Sequence, residues 1–306
     1  MSVSPRPFDR IAPRRHWLPY LPFLLIAPSV VLLLALIAYP LAFALRNSFY
    51  FWNLQAAAEP LGFVGLDNYR RVLTSVDFLA SLRNTVVLAT VGAAIEFCLG
   101  LSIALLLNAA LPGMAIARAL LILPTTIAPI VVGFLFRYLY DPGAGLIPWF
   151  LRAIFVPVPS QGLLGSQWTA LASVMAADVW QWTPFFAIVL YAGLLSVPAE
   201  IIEAARLDRA SAWTMIVRIR LPLIRRTAAI VLMLRFMQLF NTFDPVLVLT
   251  RGGPGTSSRT LGYSLYELGL VQFNIGLASA MTWIVVIIVN AFIASYVFFA
   301  FRNEDW

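Results

Sequence analysis

The stretch Pro198–Pro222 reads PAEIIEAARLDRASAWTMIVRIRLP and lies between two long apolar runs. It holds three acids and four arginines, in a chain of 306 residues that is 61% hydrophobic and 11% charged. A soluble domain carries about 25% charged residues. The composition therefore predicts a membrane protein, with this stretch as a polar loop between spans. Pro198 suits a helix start, and Glu200 and Glu203 suit its first turns, near the positive end of the dipole. Ser211 suits the cap of a second helix. Trp213, Ile216 and Val217 recur at i, i+3 and i+4 as an apolar stripe, and Pro222 ends the segment before the next span. The spacing predicts two short helices with a polar joint, exposing Trp213 and Ile216. An amphipathic helix on anionic headgroups and a protein-docking loop both satisfy that pattern.

Outward from the loop, a span needs about 20 apolar residues. Six stretches qualify, near 18–45, 85–108, 116–140, 168–195, 227–249 and 275–301. The expected fold class is an all-α membrane protein of six transmembrane helices. Its expected organisation is a tail 1–17, a six-span domain 18–301 that includes the loop 198–222, and a tail 302–306. The first run exceeds the apolar core of a signal peptide, about 7–15 residues, and is expected to be retained. All 21 basic residues are Arg. With the N-terminus in the cytoplasm, twelve fall inside, seven outside, and two, Arg137 and Arg235, within spans. The positive-inside preference thus favours both termini cytoplasmic. The segments Asn47–Asn84 and Asp141–Gln167 are expected as structured caps on the outer face.

The residues that are missing exclude several chemistries. Without Lys there is no P-loop and no Schiff-base nucleophile. Cys98 and His16 are the chain's single Cys and single His, so an internal disulfide and a Cys/His zinc site are excluded. Cys98, in an apolar run, is expected to pack. His16 lies beside Arg14 and Arg15, out of place for a Ser-His triad.

The loop resembles the coupling (EAA) loop of inner-membrane subunits of binding-protein-dependent ABC importers. Glu203-Ala204-Ala205, Asp208, Ala210, Trp213, Ile219, Leu221 and Pro222 carry the resemblance, and Arg209 stands where the family has Gly. Three further runs are similar to the sugar-importer permeases: Gly65-Leu66-Asp67-Asn68-Tyr69, Asp178-Val179-Trp180-Gln181-Trp182-Thr183-Pro184-Phe185, and Phe243-Asp244 followed by Leu249-Thr250-Arg251-Gly252-Gly253-Pro254. They point to the carbohydrate-uptake branch that includes the maltose and glycerol-3-phosphate permeases. The resemblance implies the type I importer permease fold in a bacterial cytoplasmic membrane. It implies as partners a second permease, two ATPase subunits and an external solute-binding protein. It implies no enzyme activity and no cofactor in this chain, with ATP and Mg held by the ATPases. Glu203, Ala204, Ala205, Asp208, Arg209, Ala210, Trp213, Ile216, Leu221 and Pro222 would then form the ATPase contact.

Charges inside spans are costly and suggest function; here they are Glu96, Asp178, Arg235 and Asp244. Gln238, Asn241, Phe243, Asp244, Trp182 and Glu96 are the candidates for a sugar path, with planar polar groups for hydroxyls and aromatic faces for the ring. Against that, Glu96 suits a structural pairing with a polar group of a neighbouring span. An ion-coupled secondary transporter acting alone is the competing reading, although the inverted repeats expected of one are not visible.

Overall fold

The structure, a computed structural model, describes residues 20–109 and 113–302. The expected tail 1–17, with His16, and residues 303–306 lie outside them. The chain divides into two units, Met1–Arg46 and Asn47–Trp306. The described part of the first is helix α1 (Leu21–Ser48) up to Arg46, apolar on all sides despite Pro28 and Pro40. A helix apolar all round suits a hydrocarbon environment.

The second unit starts at the last turn of α1. A two-stranded antiparallel ribbon follows, β1 (Tyr50–Phe51) with β2 (Gly62–Phe63), Tyr50 opposite Phe63. These are the only strands among the described residues; otherwise the fold is helical. Gly65 turns the chain at φ +57°, a conformation that costs glycine little. In α2 (Asp67–Thr74), the Asn68 side-chain amide donates to the Ser48 and Tyr50 carbonyls at 2.9 and 2.8 Å. The Tyr69 hydroxyl lies 2.7 Å from Ser48 Oγ. The Gly-Leu-Asp-Asn-Tyr run is thus a clasp on the two-stranded hairpin.

Helix α3 (Val76–Val87) continues through a π turn, Leu88–Gly92, into α4 (Ala93–Leu107). Between helices in lipid, apolar burial gives little net drive, so close backbone approach decides packing. Gly100 of α4 provides it: a Cβ there would lie 2.4 Å from the Phe186 Cβ on α8 (Ala170–Leu195). Between them come α5 (Met114–Thr126), α6 (Pro129–Leu139) and α7 (Leu146–Ala153). The expected span 116–140 bends by 95° between α5 and α6. Pro129 has no N–H to continue the helix and pushes Ala128 out of the α region (φ −59°, ψ 136°). The buried Gln181 amide donates to the freed Ile127 carbonyl at 2.8 Å.

The polar loop holds α9 (Ala199–Leu207), α10 (Ala212–Thr214), a π turn Met215–Arg220 and α11 (Leu221–Leu223). Pro222 does not end it as expected. It occupies the first turn of α11, where proline is tolerated, and the chain turns at buried Ile224. The expected span 227–249 is two helices, α12 (Arg225–Phe240) and α13 (Asp244–Leu249), separated at Asn241–Phe243. Here Pro245 resists a continuous ladder, and the Thr260 hydroxyl takes the freed Thr242 carbonyl at 2.7 Å. Then α14 (Leu261–Tyr266) runs through a π turn, Glu267–Val271, toward α15 (Ile275–Phe301).

Four continuous helical stretches among the described residues are long and apolar enough to cross a membrane: Leu21–Ser48, Val76–Leu107, Ala170–Leu195 and Ile275–Ala300. The bent α5–α6 pair makes a fifth, if it is one span. Cys98 is exposed on α4, not packed. An apolar run does not distinguish lipid-facing positions from core.

Candidate functional site

Two places gather the residues singled out from the sequence. In the loop, α9 ends in a Schellman turn: the Ala210 N–H donates to the Ala205 carbonyl and the Arg209 N–H to the Arg206 carbonyl, both at 3.0 Å. That turn puts its middle residue in the left-handed region, and Arg209 sits there at φ +53°. Glycine is the natural occupant of such a position, so Arg209 keeps the joint the family's Gly would make, under strain. Ser211 Oγ accepts from the Thr214 N–H at 3.2 Å and caps the next helix. The joint is thus fixed on both sides by backbone geometry.

Around this joint Glu203, Ala204, Asp208 and Arg209 are exposed and Ala210 half-buried. Leu207 is 85% exposed and Trp213 73%. Three expected contact residues are less exposed than that role implies. Ala205 is buried within the chain, and its carbonyl closes the Schellman turn. Ile216 is half-buried, and Leu221 packs on the core cluster of Phe186, Leu190 and Ile224. Leu207 is an exposed apolar side chain beside the joint that the spacing did not single out. It lies one residue before the turn, off the apolar stripe.

The second place lies between α4, α8 and α12. Arg235 on α12 is 2% exposed, Glu96 on α4 0% and Asp178 on α8 5%. Arg235 Nε donates to Glu96 Oε2 at 2.7 Å and Nη2 to Glu96 Oε1 at 2.9 Å, a bidentate pair. Nη2 also contacts the Asp178 carboxylate. The guanidinium lies 4.8 Å from the centre of the Trp182 ring. Its Nη1 reaches Gln238 Oε1 at 3.4 Å. Glu96, Trp182 and Gln238 are therefore gathered on one buried cation, which ties three helices together.

Asn241, Phe243 and Asp244 are not part of that cluster. They occupy the α12–α13 break and its edge. Asn241 is exposed and bonds to the Met237 carbonyl at 3.3 Å. Phe243 packs on Tyr266, with ring centres 4.8 Å apart. Asp244 opens α13 beside the positive end of its dipole. The sequence reading named Arg235 only as a charge inside a span. The missing signal was its spacing from Glu96 and Asp178, which becomes contact only after folding.

A short-helix joint between two long apolar helices, in a chain with several helices long and apolar enough to cross a membrane, is the arrangement expected of a polytopic transport subunit. The family model for the binding-protein-dependent transport system inner membrane component matches residues 13–304, and the chain belongs to that family. It is a multi-pass inner-membrane permease subunit of an ABC importer. Curated relatives include a probable ABC transporter permease protein of Sinorhizobium fredii, 35% identical over 91% of this chain and 89% of its own length. The trehalose transport system permease protein SugA of Mycobacterium tuberculosis is 34% identical over 92% and 87%. The sn-glycerol-3-phosphate transport system permease protein UgpA of Agrobacterium fabrum is 31% identical over 90% and 92%. A solved bacterial ABC transporter involved in the import of the acidic polysaccharide alginate has a chain superposing with a TM-score of 0.80. It is 20% identical and covers 94% of this chain and 96% of that one. That likeness shows the fold. Family membership displaces the reading of an ion-coupled transporter acting alone.

Proposed function

We propose that this permease pairs with a second, homologous permease and two ATPase subunits to import a sugar or sugar-like solute handed over by an external binding protein. Both termini are cytoplasmic in this reading, and the loop 198–222 docks into the ATPase. ATP and Mg are held by those ATPases, and this chain binds no cofactor. The observation that carries it is the joint itself. Leu207, Trp213, Glu203 and Asp208 are presented on a rigid, doubly capped turn, which suits an apolar anchor ringed by charge. The sugar assignment is supported by the trehalose permease among the relatives, and the wider sugar-like class by the sn-glycerol-3-phosphate permease. In the solute path, Asn241, Phe243 and Asp244 at the helix break supply planar polar groups and an aromatic face. Trp182 and Gln238 contact the buried Arg235, which pairs with Glu96.

The test is co-purification and ATP-driven uptake from native membranes. Wild type brings down an ATPase and a second permease, whereas Glu203→Ala and Trp213→Ala lose or weaken the ATPase and stop uptake. A wild-type chain that purifies alone and moves solute on an ion gradient would sink the reading.

A further inference from the structure

The segment 198–226 divides into halves of different charge. Residues 198–210 set Glu200, Glu203 and Asp208 against Arg206 and Arg209, whereas residues 211–226 carry Arg218, Arg220, Arg225 and Arg226 and no acid. Arg218 and Arg225 are exposed and Arg220 half-buried, and none of these three is ion-paired among the described residues. The fold gains little from this arrangement. Arg225 and Arg226 open α12, whose first turn holds no acid and whose cap residue, Ile224, offers no side-chain acceptor. The cations therefore stand at the positive end of a helix dipole, which disfavours them. Leu223, exposed between Arg220 and Arg225, adds an apolar contact beside the charges. Arginines around an exposed leucine, at the foot of a helix entering the bilayer, match the boundary between headgroup phosphate and acyl chain.

We propose that Arg218, Arg220 and Arg225, with Leu223 between them, bind the phosphate of an anionic phospholipid headgroup in the cytoplasmic leaflet, while the more acidic half of the loop, together with Trp213, meets the protein partner. The proposal rests on the cytoplasmic placement of the loop given above. Guanidinium forks suit phosphate oxygens, and each arginine near an anionic surface contributes roughly fivefold to partitioning. Removing three should weaken binding roughly a hundredfold.

The experiment titrates the purified importer complex in detergent with short-chain phosphatidylglycerol or phosphatidylcholine and reads bound lipid by native mass spectrometry. Wild type is expected to prefer phosphatidylglycerol, and to lose that preference as salt is raised. The triple variant Arg218→Gln/Arg220→Gln/Arg225→Gln loses the preference, while Arg206→Gln/Arg209→Gln keeps it. Equal affinity for both lipids in wild type overturns the proposal, as does a preference that survives in the triple variant. Loss of the ATPase from the triple variant with its lipid preference intact also overturns it, because those arginines would then face protein. Should the triple variant fail to assemble, Arg225→Gln alone is expected to lose roughly fivefold. An unchanged affinity there, or a wild-type preference indifferent to salt, overturns it too. The import reading is judged separately, by uptake with Glu203→Ala.

Discussion

Replacing Arg235 with Met should be the most damaging single change in the membrane region. Arg235 is almost fully enclosed, with Glu96 taking two of its N–H groups at 2.7 and 2.9 Å and Asp178 contacting the same Nη2. Met fills part of the volume but leaves two carboxylates buried side by side. Breaking a buried pair by removing one partner costs about 3–5 kcal/mol. Here one cation serves two acids on two other helices, which places the loss at the upper end of that range. At about 2–4 °C per kcal/mol for a chain this long, the thermal midpoint should fall by on the order of 10 °C. The assay is thermal unfolding of the purified complex in detergent, comparing Arg235→Met, Glu96→Gln, Asp178→Asn and all three together. The triple replacement removes every charge and should be milder than Arg235→Met alone, because swapping a whole buried ion cluster for neutral groups is often near-neutral. If Arg235→Met melts with wild type, or the triple change is worse than the single, the cluster does not hold the helices as argued.

Other expectations follow from local geometry. Arg209→Gly should stabilise the loop by about 0.5–1 kcal/mol, since φ +53° strains any residue with a Cβ; a lower midpoint in thermal unfolding would mean the guanidinium makes a compensating contact. Gly100→Leu should separate α4 from α8 and cost about 3 kcal/mol, given a Cβ 2.4 Å from that of Phe186; unchanged expression and melting would contradict the close approach. Gln181→Leu orphans the Ile127 carbonyl at the α5–α6 bend and should cost about 1–3 kcal/mol, read as faster amide exchange around Ile127. Asp141 accepts from the Gly143 and Ala144 N–H groups, which hold its carboxyl below its ordinary value of 3.8. Its contribution is full above that value and fades as pH falls through the lower folded one, so Gly143 and Ala144 should lose exchange protection in acid.

The sequence carried the large features because they depend on composition and short-range spacing. Long apolar runs marked the membrane region, and Pro198, Asp208 and Ser211 marked two helices and their joint without any tertiary knowledge. What it hid depends on distance along the chain. Arg235 lies 139 residues from Glu96 and 57 from Asp178, so the structural pairing expected of Glu96 had no named partner in the sequence. The π turn before Pro222 and the break at Asn241–Phe243 were invisible because both are decided by neighbours: the widened turn leads into a first-turn proline, and Thr260 stabilises the free Thr242 carbonyl. Arg209 was the reverse case. Its identity argued against a glycine-type joint, yet the backbone adopts that joint, because the Schellman hydrogen bonds and the Ser211 cap offset a local strain of about 1–2 kcal/mol.

The buried cluster also bears on how motion of the loop would reach the membrane interior. The loop is bounded by α8 on one side and α12 on the other, and Asp178 of α8 and Arg235 of α12 meet in the cluster with Glu96 of α4. Sliding α8 past α12 would break at least one contact of an enclosed charge, at a cost of several kcal/mol. On the proposed coupling, a push on Trp213 or Leu207 would be passed on by α4, α8 and α12 moving together. The next interruption along the chain is the break at Asn241–Phe243, where α12 gives way to α13. The rigid body would end there, so a change in the loop should emerge as a change of angle at Asn241 and Asp244. A hinge placed at the end of a rigid element is how small displacements become two-state openings. Locking that hinge, with a cysteine pair across Asn241 and a neighbouring helix, should leave ATP hydrolysis by the assembled importer and abolish uptake. Loss of both together would place the flexible point elsewhere.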